Sequence, residues 1–76
     1  MDELVVWIAR ELVDDPEQVR VERVVRDDTI VLRLHVASDD IGKVIGRQGR
    51  MARALRALVR TASARSETRM LLEIAE

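Results

Sequence analysis

The stretch IGKVIGRQGR, Ile41 to Arg50, decides how the rest of the chain is read. It holds all three glycines of the protein, at positions 42, 46 and 49, together with Lys43, Arg47 and Arg50. Helical signals flank it. Ser38 is placed to cap a helix, and Asp39 and Asp40 suit the positive end of that helix. The helix must be short, because Gly46 stops it as a residue just past a helix end does. From Gly49 a longer helix runs to about Ala64, with Met51, Leu55, Leu58, Val59 and Ala62 on one face. Two helices therefore meet across a turn of a few residues of the form G-x-x-G.

Such a turn has two uses. It can be a tight corner, since glycine permits positive φ and a close approach of backbone. It can also cradle a phosphate, because the start of the second helix presents unpaired N–H groups and a positive dipole end. Four residues of this form do not decide between the two. Their setting favours the phosphate: Arg47 and Gln48 lie between the glycines, Lys43 and Arg50 flank them, and Val44 and Ile45 add apolar surface. Other glycine-rich loops do not fit. A Walker A loop needs Lys and then Ser or Thr after its second glycine, but Arg47 and Gln48 follow Gly46. A dinucleotide fingerprint needs a glycine two residues after the first, where Val44 stands.

Working outward, Leu4, Val5, Ile8 and Leu12 follow helical spacing, so residues 2–13 read as an amphipathic helix. It ends at Asp14-Asp15-Pro16, since a residue before proline is pushed out of helical conformation. Val19 to Val25 is β-branched and roughly alternating. Thr29 to Ala37 places Ile30, Leu32, Leu34 and Val36 on one face, and Asp27-Asp28 turns between the two strands. Thr68 to Ile74 is a last strand with Met70, Leu72 and Ile74 inward. The order is α-β-β-α-α-β, an α+β domain with helices on one side of a three-stranded sheet.

The 76 residues make one domain, residues 1–76, whose small size buries only about 60% of its unfolded surface. There is no Cys, which excludes disulfides, thiolate metal sites and a Cys nucleophile. Asp2 and Glu3 stand where a signal peptide would be positive, and no apolar run approaches a membrane span, so a cytoplasmic protein is expected. The formal charge of −1 hides a division: residues 1–40 carry 5 Arg and 11 Asp or Glu, and residues 41–76 carry 1 Lys, 7 Arg and 3 Glu. The halves are therefore −6 and +5, which would confine an anionic partner to one face. Arg50, Arg53, Arg56 and Arg60 fall within roughly 120° on the long helix, without an acid among them.

Nothing in the chain points to catalysis. His35 is a lone histidine on the outward face of the second strand, without the ligand cluster that a metal site needs. The three Asp-Asp pairs at 14–15, 27–28 and 39–40 sit at turns and helix starts, where local capping explains them. No cofactor is expected. Trp7 lies at the edge of the apolar face of the first helix, either part-buried in the core or an anchor for self-association. Ala52, Ala54 and Ala57 make the long helix another candidate contact. With one Trp and no Phe or Tyr, the chain cannot stack bases on aromatic rings. It would have to hold them against aliphatic surface such as Ile41, Val44, Ile45 and Val36.

The element order, with "DDIGKVIGRQGRMARALR" across the two inner helices, resembles a type II (bacterial) KH domain, and within that family its small single-domain members. The resemblance spans essentially the whole chain, and the hydrophobic-Ile-Gly-x-x-Gly core is intact from Val44 to Gly49. It implies a mixed three-stranded sheet with three helices on one face. It also implies that about four nucleotides of single-stranded RNA are clamped in an aliphatic groove beside the loop. Single-stranded DNA stays open. On this reading Gly46 and Gly49 shape the loop, Arg47 and Gln48 meet the nucleotide backbone, and Lys43, Arg50 and Arg53 supply charge. The resemblance further implies a homodimer or a pairing with a second KH-containing RNA-binding protein. A KH-fold protein-interaction module with little or no RNA binding is the alternative.

Overall fold

The computed structural model describes residues 1–75. Six main elements follow one another: α1 (Asp2–Leu12), β1 (Arg20–Arg26), β2 (Thr29–His35), α2 (Ile41–Ile45), α3 (Arg50–Ser66) and β3 (Arg69–Ile74), with short 3-10 turns at Pro16–Gln18, Ser38–Asp40 and Arg47–Gly49. The fold is α+β in the expected order. The sheet is mixed: β2 is central, antiparallel to β1 and parallel to β3. The parallel pair, Thr29↔Arg69 to Leu34↔Ile74, requires a crossover, and α2 and α3 supply it.

Local chemistry accounts for the elements. Asp2 and Glu3 sit in the first turn of α1 and Arg10 in its last, both favourable to the helix dipole. Val13 is already extended, so α1 ends one residue earlier than its apolar spacing predicts. Asp27 turns the β1–β2 hairpin at φ 54°, a left-handed conformation that Asp tolerates better than most residues. Strand β1 starts at Arg20 and runs to Arg26, one residue beyond its predicted end. The buried Val19 just before it belongs to the core instead.

The inner face of the sheet carries Leu32, Leu34, Met70 and Leu72. Against it pack Val5 and Ala9 of α1, Val44 of α2, and Leu55 and Val59 of α3. Each fully buried aliphatic chain contributes about 1.5–3 kcal/mol of transfer free energy. On the outer face Val31 is buried between its strand neighbours Val24 and Leu71, while Leu71 itself is half exposed. Arg33 lies beside Glu22 and Glu73 on that face, and His35 Nε2 lies 3.2 Å from Glu22 Oε1. Those pairings occupy the lone histidine with a surface partner.

Two side chains fasten helices to the sheet. Arg23 donates to both Asp2 carboxylate oxygens, at 2.7 and 2.9 Å, and this hydrogen bonding holds the Asp2 pKa below its ordinary value. Ser63 Oγ donates to the Thr68 carbonyl at 2.8 Å and accepts from the Met70 N–H at 2.9 Å. That bracket ties the end of α3 to the start of β3. It helps α3 continue to Ser66, two residues past its expected end, before Glu67 turns the chain at φ 60°.

Candidate nucleic-acid interface

The loop between α2 and α3 is built from left-handed backbone. Gly46 has φ 78° and ψ 173°, a region essentially reserved for glycine. A Cβ there would also lie 2.7 Å from Met51 Cβ and 2.9 Å from Met51 N, so the first turn of α3 leaves no room for one. Gly49 has φ 74° and ψ 13°, and a Cβ there would meet only the mobile end of Arg53 at 3.5 Å. Its need for glycine is thus conformational alone. Gln48 stands between them at φ 56° without being glycine, which costs about 1–2 kcal/mol.

Side chains hold that conformation in place. Arg53 Nη1 donates to the Gln48 carbonyl at 3.0 Å, and Arg50 Nη2 donates to Gln48 Oε1 at 3.4 Å. The Gly46 N–H donates to the Gly42 carbonyl at 2.9 Å, closing α2, and the Gly49 N–H donates to the Gly46 carbonyl at 3.2 Å. Arg47, Gln48, Arg50 and Arg53 are all exposed, as are Arg56 and Arg60 further along α3. The loop and one face of α3 therefore present guanidinium groups with no acid among them.

Helix α2 shows where sequence reading and geometry part. Ile41 and Ile45 are partly exposed, but Val44 is fully buried and lies in the core beneath them. Val36, beyond the end of β2, is part-buried. Gly42 is the one glycine to which sequence reading gives no role. A Cβ at Gly42 would meet nothing within 4 Å, so the fold has no use for glycine there. In a helix interior glycine costs about 1 kcal/mol relative to alanine. The signal was present in the sequence as a glycine four residues ahead of Gly46.

The acidic residues before α2 also act differently from expectation. Ser38 makes no side-chain capping bond, and the chain enters α2 through a 3-10 turn with Asp40 N–H donating to the Ala37 carbonyl at 2.8 Å. The Asp40 carboxylate does not cap its own helix either. It is buried, 2% exposed, and accepts from the backbone N–H of Asp14 at 3.2 Å and of Asp15 at 3.1 Å. Burial pushes the Asp40 pKa up, but those two N–H groups and the Lys43 ammonium outweigh it, and the group lies below its ordinary value. Lys43 Nζ donates to the Asp14 carboxylate and lies 3.4 Å from Asp40 Oδ1. The bond to Asp14, with Asp40 beside it, raises the Lys43 pKa. Lys43 is therefore engaged by acids, unlike the arginines of the loop.

Elsewhere, a groove of about 310 Å³ lies between α1 and β1, lined by Asp2, Glu3, Val6, Trp7, Arg10 and Val21. It shares no residue with the glycine loop. Trp7 is 62% exposed there, so it is not a core residue of the monomer. Of the α3 alanines at 52, 54 and 57, Ala52 is buried, Ala54 exposed and Ala57 part-buried. Among the described residues no His, Asp or Glu cluster could hold a metal ion, and no helix is long and apolar enough to cross a membrane.

A family model described as "KhpA/KhpB, KH domain" matches residues 2–74. A protein of Clostridium perfringens named RNA-binding protein KhpA is 46% identical over 74 residues, covering 97% of this chain and 99% of its own. Its namesake in Treponema pallidum is 49% identical over 73 residues, covering 96% and 91%. That of Listeria monocytogenes is 40% identical over 76 residues, covering both chains completely. No solved structure matches the chain.

Proposed function

The chain belongs to the KhpA/KhpB family of KH domains, and from that premise we propose that it is a small RNA-binding protein that clamps single-stranded RNA beside the Gly46–Gly49 loop. Several relatives carry RNA-binding protein as their name. The observation that carries the reading is the strained loop itself. Gln48 is held in a left-handed conformation at an exposed turn where no core packing requires it, and Arg50 and Arg53 brace it. Asp27 and Glu67 share that conformation at exposed turns; what sets Gln48 apart is the cluster of exposed guanidinium groups around it, those of Arg47, Arg50 and Arg53.

In the proposed complex Arg47 and Gln48 meet the nucleotide backbone, while Arg50 and Arg53 supply charge from α3. Lys43 contributes when released from Asp14. Ile41 and Ile45 offer an aliphatic surface for about four bases, with Val44 supporting it from below. The open Cβ position at Gly42 lets a base lie directly against the α2 backbone. The protein acts as a binder and not a catalyst, in the cytoplasm, as an RNA chaperone or post-transcriptional regulator. It works as a homodimer or with a second KH-containing protein. Single-stranded DNA is the competing ligand to be measured beside RNA.

Arg47→Asp combined with Gln48→Asp tests this. Asp is tolerated in left-handed conformation, so the fold should stand and the thermal midpoint should hold. Hydrogen bonds to charged groups contribute about 1.5–3 kcal/mol each, so affinity for a short single strand should fall more than tenfold. In the native protein, log K should fall with log salt at a slope of roughly −1.5 to −3, as a few neutralised phosphates require. Unchanged binding by the folded double variant would favour the protein-interaction reading, for which exposed Trp7 and its groove are the specific support.

A further inference from the structure

The Asp14–Asp15 corner, which joins α1 to the turn before β1, is held beside α2 by a device that has no need of its own carboxylates. Asp40, buried to 2% exposure, grips the corner through backbone N–H groups. The Asp14 and Asp15 side chains take no part in that grip; both residues are exposed, the Asp14 side chain at 82%. Asp14 then takes the Lys43 ammonium, the only cation of α2. Along the α2–loop–α3 hairpin this leaves two unlike flanks. The α3 flank carries Arg50 and Arg53, whose contacts are to neutral oxygens of Gln48 and which keep their full positive charge. The α2 flank carries a neutralised lysine beside two carboxylates.

A polyanion approaching the loop meets attraction on one flank and repulsion on the other. We propose that Asp14 and Asp15 form an electrostatic fence beside the glycine loop, holding Lys43 away from phosphate and steering a bound strand along the Arg50–Arg53 flank. The proposal rests on the RNA-binding reading and adds to it a determinant of the path and the length of strand engaged. The fence limits contact to a short segment, because a strand that ran on past Lys43 would bring its next phosphates against Asp14 and Asp15. Removing the two charges leaves Lys43 only its 3.4 Å contact with Asp40 and opens that path without disturbing the anchor, since Asp40 holds backbone groups that any residue at 14 and 15 retains.

The test compares the native protein with Asp14→Asn/Asp15→Asn, using a fluorescent single-stranded RNA dodecamer of randomised sequence. The variant should bind about three- to tenfold more tightly at low salt, and its salt slope should steepen by about 0.7 for each phosphate gained. Adding Lys43→Ala to the variant should remove the steepening, and should cost more affinity there than it costs in the native chain. Asp27→Asn/Asp28→Asn makes the same change in net charge at the β1–β2 hairpin, and should gain clearly less. An equal gain from the hairpin variant, or an unchanged affinity and slope at the corner, would overturn the fence. Arg47→Asp/Gln48→Asp run alongside separates the two levels. If it abolishes binding while the corner variant does nothing, the RNA reading stands and the fence falls. If it too leaves binding intact, both fall.

Discussion

At Gly46 a single missing carbon serves two needs, a conformation closed to other residues and a gap against Met51. Gly49 serves only the first, and Gly42 serves neither within the free chain. The three glycines should therefore respond differently to alanine. Gly46→Ala should cost on the order of 2–4 kcal/mol, and Gly49→Ala about 1–2 kcal/mol. At about 4–8 °C of midpoint per kcal/mol for a chain of this size, calorimetry will separate them. Gly42→Ala should raise the midpoint slightly while weakening RNA binding, an opposition that a purely structural glycine would not show. The glycine pair was legible in the sequence because only glycine occupies the Gly46 conformation comfortably. Gln48 was not legible, since its left-handed backbone is imposed by its neighbours and leaves no mark in its own residue type. Asp40 was misread for a similar reason. Its partners lie 25 and 26 residues away, and no local rule of capping reaches that far.

Helix α2 has five residues, far below the length at which a helix is stable alone. Packing of Val44 and the anchoring of its entry turn by Asp40 must hold it in place. The anchor is charge-dependent, and its sign follows from the lowered Asp40 pKa. A carboxyl whose folded pKa lies below its unfolded value stabilises the fold at neutral pH. That contribution is lost as pH falls through the ordinary 3.8 toward the lower folded value. Asp2, lowered by its hydrogen bond from Arg23, acts in the same direction at the start of α1. The native protein should lose stability below about pH 5. Asp40→Asn should be less stable at pH 7 and show a flatter acid limb in thermal melts from pH 7 to pH 3. Parallel pH profiles for the two proteins would mean that Asp40 is not the anchor. Element types and order were legible because apolar periodicity shifts between 3.6 and 2 along the chain. Boundaries moved by one or two residues where tertiary bonds, such as those of Ser63, extended an element beyond its local pattern.

For the molecule as a whole, the charge division between the halves is not a clean division of the surface, since Asp14 of the acidic half pairs with Lys43 of the basic one. The arginines of the loop and of α3 share one exposed face, and the groove between α1 and β1 with exposed Trp7 lies on other elements. Two faces of different character suit a protein that binds nucleic acid on one side and associates through another. A domain of this size with neither disulfide nor metal gains from self-association. We expect a dimer in the micromolar range that keeps its glycine loops open, and expect Trp7→Ala to shift it toward monomer with an unchanged far-ultraviolet spectrum. Sedimentation at several concentrations, with and without a short RNA, measures this. A native chain that stays monomeric throughout, or a dimer that separates whenever RNA binds, would contradict it. Sequence alone left Trp7 open between core and surface. A residue at the edge of an apolar stripe is buried or exposed according to how its helix is rolled on the sheet, which the stripe does not specify.

The parallel pairing of β2 with β3 makes α2, the glycine loop and α3 one enclosed segment between His35 and Arg69. Both ends of the proposed site are thus clamped by the same ladder, and β3 forms the outer rail of it. If the site is fully shaped only while that rail is docked, the equilibria of docking and of ligand binding are linked. A nucleotide held at Arg47 then lowers the free energy of a strand it never touches, and any fraying of β3 is felt at the loop as lost affinity.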